Sequence, residues 1–107
     1  MHKFAIVIFA AFGFATAILF AADPAKHSFR PSDGYVPDAV TAIKIAVAVW
    51  QPIYGAEHIA TERPYHAALH NGVWIVEGSL PKGFLGGVAV AEISKDDGKI
   101  LRVSHGK

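Results

Sequence analysis

The sequence contains no cysteine, and this absence sets two limits on the protein. Disulfide bonds cannot support the fold, although many small exported domains depend on them. Lipid attachment at a cysteine after a signal sequence is excluded as well. The folded part of the chain must therefore rely on packing, and a hydrophobic content of 52% is consistent with that requirement.

An excess of charge of one sign is also missing, because the formal net charge is only +1. Near the carboxyl end, basic residues alternate with acidic ones, as in Lys95, Asp96, Asp97, Lys99 and Arg102. A protein that binds nucleic acid normally carries a clustered basic face. The sequence therefore predicts no nucleic-acid partner.

One long apolar run is present, at residues 4–22. It follows a short, weakly basic start and precedes a polar stretch, which is the order of an export signal. The run is longer than the roughly 7–15 residues of a signal core and approaches the roughly 20 that span a bilayer. We predict that residues 1–22 are either a signal peptide, cleaved after Ala17, Ala21 or Ala22, or an uncleaved membrane anchor. The protein is therefore expected in the periplasm, either free or held at the inner membrane.

The rest of the chain, about 85 residues, is the size of one small domain. Residues 23–36 contain prolines and polar residues without a periodic apolar pattern, which is typical of a linker. The folded domain is therefore predicted over residues 37–107. We find no internal repeat and no low-complexity tract.

The first element of this domain is predicted to be a helix. Pro37 suits an early helical position, and the acid of Asp38 suits the positive end of the helix dipole. Apolar residues then recur at helical spacing and form one stripe. The predicted core residues on this stripe are Val40, Ile43, Val47 and Trp50.

Small residues widen the stripe, namely Ala39, Ala42 and Ala46, and would let a sheet approach closely. Pro52 is expected to end or kink the helix at the preceding residue. Gly55 suits a helix stop. Residues 57–62 are expected to add a short helical turn.

Four short strands are predicted after Pro64, at residues 65–70, 73–78, 88–93 and 99–103. The pair Asn71-Gly72 is a strong hairpin signal, and residues 96–98 predict a second tight turn. Trp74 and Ile75 are predicted to lie in the core. The sequence thus predicts an α+β fold, with one main N-terminal helix packed on a curved antiparallel sheet of about four strands.

The histidines do not suggest a metal site. His66 and His70 share one face of a predicted strand, but they would lie about 13 Å apart along it, too far for one ion. His58 and His105 have no supporting ligands nearby in the sequence. We therefore predict no metal and no cofactor.

Catalytic motifs are equally absent from the sequence. It holds no serine-hydrolase motif and no phosphate-binding loop. Glu57 and Glu62 are expected to be exposed carboxylates in a polar connection. We predict that the protein is not an enzyme and has no catalytic residues.

The aromatic residues divide into two groups by their surroundings. Trp50 and Trp74 are expected to pack the helix against the sheet. Tyr54, Tyr65 and Phe84 lie near predicted loops, where an aromatic side chain can anchor a partner.

Residues 34–107 contain a set of different short segments in a defined order. They are AIKIA at 42–46, WQPIYG at 50–55, VWIVEGSLP at 73–81, Gly86-Gly87, EISKDDGKIL at 92–101 and HGK at 105–107. In order and spacing they resemble the small bacterial immunity proteins of the nuclear-transport-factor-2-like fold, which belong to polymorphic toxin systems. The domain is shorter than a full fold of that kind, which has more helices.

The resemblance implies an immunity protein that binds a cognate toxin and covers the toxin's active site. It supplies no catalytic residues. Because the chain is predicted to be exported, we expect the toxin to act in the envelope, and membrane contact only through an uncleaved N-terminal segment.

For the toxin contact we predict the loop at residues 81–87, with Phe84 as its apolar anchor and Lys82 beside it. The turn at Asp96 and Asp97 is the second choice. A non-catalytic envelope module that binds a small ligand or peptide is the alternative. A sizeable apolar cavity behind Trp50 and Trp74 would favour this alternative.

Overall fold

The computed structural model describes residues 27–106, and the compact unit within them begins at Pro31. Its helices are α1 (Ala39–Tyr54) and α2 (Ala56–Ala60), and its strands are β1 (His66–His70), β2 (Val73–Glu77), β3 (Ala89–Ser94) and β4 (Ile100–His105). Neither helix has the length and apolarity to cross a membrane, among the residues described. The predicted export segment at residues 1–22 lies outside them.

The four strands form one antiparallel sheet in chain order, and α1 packs against β1, β2 and β3. The β1–β2 hairpin closes at Asn71 and Gly72, whose φ angles are 48° and 77°. Two successive positive φ angles suit the tight hairpin turn that the sequence predicts. The α+β prediction, with one main helix on a four-stranded antiparallel sheet, is confirmed.

Both ends of α1 follow from local chemistry. The Asp38 carboxylate accepts hydrogen bonds from the backbone N–H of Thr41 at 2.8 Å and from its hydroxyl at 2.7 Å. This is the bond pattern of an N-cap. At the other end Gly55 has a φ of 95°, and its N–H donates to the carbonyl of Gln51 at 2.8 Å.

Pro52 lies inside α1. Of the two predicted outcomes, an end or a kink at the residue before Pro52, the end at Gln51 is therefore wrong. Proline has no N–H, and the carbonyl of Ala48 therefore loses its helical partner. Both Ala48 and Pro52 are exposed, so water can reach that carbonyl. The helix can continue to Tyr54 because the unpaired carbonyl lies on its solvent-exposed side.

The buried face of α1 consists of Ala42, Ala46 and Trp50, each with no exposed surface. They pack in one cluster with Ala89 and Ala91 of β3. Small side chains on both surfaces allow the helix and the sheet to approach closely. The alanines thus form the centre of the buried stripe, and the larger residues predicted for that place lie beside it, except Trp50.

Two residues predicted to lie in the core, Val40 and Ile75, are not buried. Val40 is 61% exposed, because the helix buries the side that carries Ala42 and Ala46, and Val40 lies on a different side of the helix. Ile75 is only half-buried, since strand residues alternate between the faces of the sheet and its neighbours Trp74 and Val76 point inward. Ile43 and Val47 are half-buried and pack against the core.

Residues 31–36 are part of the domain, although the linker was predicted to extend to residue 36. Val36 is 1% exposed. Its N–H donates to the carbonyl of Lys95 at 3.0 Å, and its carbonyl accepts from Nε1 of Trp74 at 2.8 Å. The N–H of Tyr35 also donates to the carbonyl of Asp96 at 2.9 Å. The linker prediction is therefore wrong for these residues, because the buried Val36 side chain and several hydrogen bonds fix the segment on the sheet.

Candidate functional site

A pocket of about 540 Å³ lies at the end of the sheet where β3 begins and β4 ends. The connection between β2 and β3 borders it together with α2. Its apolar side chains are Leu80, Pro81, Phe84 and Leu85, which we call the apolar loop. Its titratable side chains are His58, Glu62 and His105, which we call the His–Glu–His cluster.

Glu62 stands at the centre of the cluster and is only 2% exposed. Its Oε1 accepts a hydrogen bond from the backbone N–H of Ala89 at 2.8 Å. Its Oε2 lies 3.0 Å from Nε2 of His58 and 2.7 Å from Nε2 of His105. One carboxylate thus joins the end of α2 to the start of β3 and the end of β4.

The local chain explains how Glu62 is positioned. His58 is in α2, and Glu62 lies four residues after His58, just beyond the end of that helix, so both side chains leave the same side of the turn. The N–H of Glu62 donates to the carbonyl of Ile59 at 3.0 Å, and its own carbonyl accepts from the N–H of Ser79 at 2.7 Å. These backbone bonds hold the carboxylate beneath the connection between β2 and β3.

His105 is oriented by its own neighbour. Its Nδ1 lies 2.7 Å from the carbonyl oxygen of Gly106, and a carbonyl can only accept, so Nδ1 is the donor. This hydrogen bond raises the pKa of His105, burial acts in the opposite direction, and the Glu62 carboxylate raises the pKa further. The ring therefore holds a fixed orientation with Nε2 directed at Glu62.

The two histidines also meet each other. Their Nε2 atoms are 3.2 Å apart and their ring centres 5.2 Å apart. The ring of Tyr54, at the end of α1, lies 5.0 Å from that of His105. The two imidazole rings therefore border the buried carboxylate, and the phenol ring of Tyr54 contacts one of them.

Several residues predicted to contact a partner are near this pocket. Phe84 is 64% exposed and lines the pocket, with Leu85 beside it at 97%. Lys82 is exposed in the same loop. Tyr54 is connected through its ring contact with His105. Their role in binding stays a prediction.

The other predicted contact residues lie elsewhere. Tyr65 is half-buried, with its ring 5.9 Å from that of Trp50 and its hydroxyl donating to the carbonyl of Ile59 at 2.8 Å. Asp96 and Asp97 are in the turn between β3 and β4, at the opposite end of the sheet from the pocket. The structure does not bring these three residues to the pocket.

The His–Glu–His cluster is the part that sequence reasoning missed. Glu62 was expected to be an exposed carboxylate, and this expectation is wrong. The spacing of His58 and Glu62 at i and i+4 was a local signal that could have paired them. His105 is 43 residues beyond Glu62, and no spacing rule connects it to them.

Three comparisons with known proteins bear on this domain. A family model described as "NTF2 fold immunity protein" matches residues 41–107. The chain is similar to "Uncharacterized protein YhhH" of Escherichia coli (strain K12), with 34% identity over 73 residues. That match covers 67% of this chain and 58% of the relative, so the chain spans less than two thirds of that protein. No solved structure matches.

Proposed function

The chain belongs to the NTF2 fold immunity proteins, and from this premise we propose that it binds and neutralises a cognate bacterial toxin by covering the toxin's active site. Such a protein needs no catalytic group of its own. It needs a rigid surface with a few apolar anchors, because a small number of residues carry most of the free energy of a protein interface.

The observation that carries this proposal is the exposure of the apolar loop. Phe84 and Leu85 project into solvent beside the pocket, at 64% and 97% exposure. Large apolar side chains that are exposed together often mark an interaction site. Because the loop adjoins a pocket, it offers a toxin both an anchor to grip and a cavity to fill.

The place of action follows from the predicted export segment. An exported protein meets toxins that act on peptidoglycan or on the membrane, and a cytoplasmic nuclease would lie beyond its reach. The proposed partner is therefore a toxin active in the envelope.

The test is co-expression of the full chain with the toxin that the neighbouring gene encodes, directed to the periplasm. Phe84→Ala should weaken toxin binding at least tenfold, which corresponds to about 1.4 kcal/mol, and should reduce survival. Val40→Ala is the matched control. It removes an apolar side chain of similar exposure, 61%, from a surface away from the pocket, and it should leave binding and survival unchanged.

Two results would contradict the proposal. One is a Phe84→Ala variant that binds the toxin as tightly as the wild type. The other is survival that does not depend on this protein at all.

The second candidate is a non-catalytic envelope module for a small ligand or peptide, and the pocket is the observation that favours it. The pocket does not lie behind Trp50 and Trp74, where a cavity would have favoured this module, since both side chains are in the core and neither lines the pocket. Native mass spectrometry of the protein purified from the periplasm separates the candidates. A bound small molecule that Phe84→Ala releases would favour this module over the inhibitor.

A further inference from the structure

We propose that His58, Glu62 and His105 form a zinc-binding site with its open coordination position facing the pocket. This proposal goes beyond toxin binding and does not depend on it. It rests on the positions of three donor atoms, on the groups that orient them, and on the access that the pocket provides.

The three donor atoms have the spacing of a zinc triad. Nε2 of His58, Oε2 of Glu62 and Nε2 of His105 lie 3.0, 2.7 and 3.2 Å from one another. Donor atoms around a tetrahedral zinc ion, each about 2.05 Å from it, are about 3.3 Å apart. An ion about 1.1 Å above the plane of these three atoms would already lie about 2.05 Å from each. Only a small expansion of the triangle separates the observed geometry from an ideal one.

Backbone groups orient two of the three ligands. The Gly106 carbonyl accepts from Nδ1 of His105 at 2.7 Å, and the Ala89 N–H donates to Oε1 of Glu62 at 2.8 Å. Metal-binding histidines usually donate their second ring N–H to a carbonyl or carboxylate, and ligating carboxylates are themselves hydrogen-bonded. Both patterns are present here, and both leave the proposed ligand atom directed into the triangle.

The ligand set favours zinc over harder cations. Imidazole nitrogen suits zinc and similar transition metals, while calcium and magnesium prefer oxygen ligands. Two histidines and one glutamate with a fourth position left open are a known zinc arrangement. All three residues line the pocket, which provides both the entry path and the space for a fourth ligand.

The bound ion would also act on the fold. Residues 58 and 62 are at the end of the helical region, and residue 105 is at the end of the last strand. A ligand that binds only the folded state stabilises it by mass action. Zinc is therefore expected to raise the melting temperature of the protein.

The test uses the full chain freed of metal by a chelator and then titrated with ZnCl₂ by calorimetry. One equivalent should bind, and the melting temperature should rise.

His58→Ala should weaken zinc binding by about 100-fold or more, since even residues that only orient a ligand contribute 10–100-fold. The His58 side chain is 52% exposed, so its loss leaves the core intact. Co²⁺ in place of Zn²⁺ should give the visible absorption of a low-symmetry site, and His58→Ala should abolish it.

The matched control is the double variant His66→Ala/His70→Ala, which removes two exposed histidines on β1. It should bind zinc as the wild type does. The proposal is overturned if the wild type binds no zinc, or if His58→Ala binds it as well as the wild type. Repeating the toxin-binding measurement in the presence of the chelator keeps the two proposals separate, because each can fail without the other.

Discussion

At the scale of single residues, Glu62 shows how much one buried carboxylate can organise. Its two oxygens contact the backbone of β3 and two histidines from different parts of the chain. A buried charge is costly unless hydrogen bonds and partners compensate it. Here every partner is local to the pocket, so the same contacts that satisfy the carboxylate also shape the proposed site.

Glycine at position 87 is required by a close approach of two backbones. A Cβ atom at Gly87 would overlap the main chain of Gly106, which leads out of β4. The neighbour is backbone and cannot rotate away. This contact keeps the end of β4, and therefore His105, close to the start of β3.

We expect Gly87→Ala to lower the free energy of unfolding by about 2 kcal/mol, as overpacking in a close contact does. Urea denaturation measures this value. Lys82→Ala is the control, because its side chain is exposed in the same loop and its loss should change stability by less than about 0.5 kcal/mol. Equal stability of the two variants would show that the strands can separate without cost.

At the scale of elements, α1 is defined by its two ends and its alanine face. Asp38 caps the start of the helix by accepting a hydrogen bond from the N–H of Thr41. Gly55 ends the helix, three residues beyond Pro52. Ala42 and Ala46 set its distance from the sheet. The helix is thus positioned by the smallest apolar side chains on its surface.

The cap predicts a pH dependence. The hydroxyl of Thr41, and after it the Thr41 backbone N–H, lowers the pKa of Asp38 below its ordinary value of 3.8. A carboxyl with a lowered folded pKa contributes stability above its unfolded pKa and loses that contribution as the pH falls through its folded pKa. The contribution of Asp38 is therefore complete above about pH 4–5 and declines below pH 3.8.

Asp38→Asn tests this expectation, because asparagine still caps but does not titrate. The difference in unfolding free energy between wild type and variant, measured in urea from pH 6 to pH 3, should shrink as the pH falls. Thr41→Val removes the hydroxyl donor and should reduce the pH-dependent part. A difference that stays constant across this range would refute the role assigned to the cap.

At the scale of the whole molecule, the domain and the apolar run at residues 4–22 are predicted to have separate tasks. The domain carries the pocket and the apolar loop. The run is predicted to carry the chain out of the cytoplasm, as a cleaved signal or as an anchor.

We expect the full chain to fractionate with the periplasm or the inner membrane. Ala11→Asp places a charge in the apolar run at a cost of about 3 kcal/mol and should retain the protein in the cytosol. Ala11→Leu is the matched control and should be exported. The mass of the isolated chain shows whether the run was removed. A wild-type protein found in the cytosol would remove the argument for an envelope toxin.

The order of the elements, the hairpin at Asn71-Gly72 and the class of the fold could all be predicted from the sequence. These features depend on local chemistry, since turn residues and alternating apolar residues act over a few positions. The resemblance to immunity proteins was likewise readable, because it rests on short segments in a fixed order, and the family match confirms it.

The buried side of the apolar helix and the set of side chains that meet at the pocket depend on packing between distant parts of the chain. Val40 and Ala42 both belong to one wide apolar surface, and the sheet selects between them by fit. His105 reaches His58 and Glu62 only because the meander returns β4 to the side of the helical region. Contacts across 43 residues depend on the pairing of the strands across the sheet, and no local pattern encodes them.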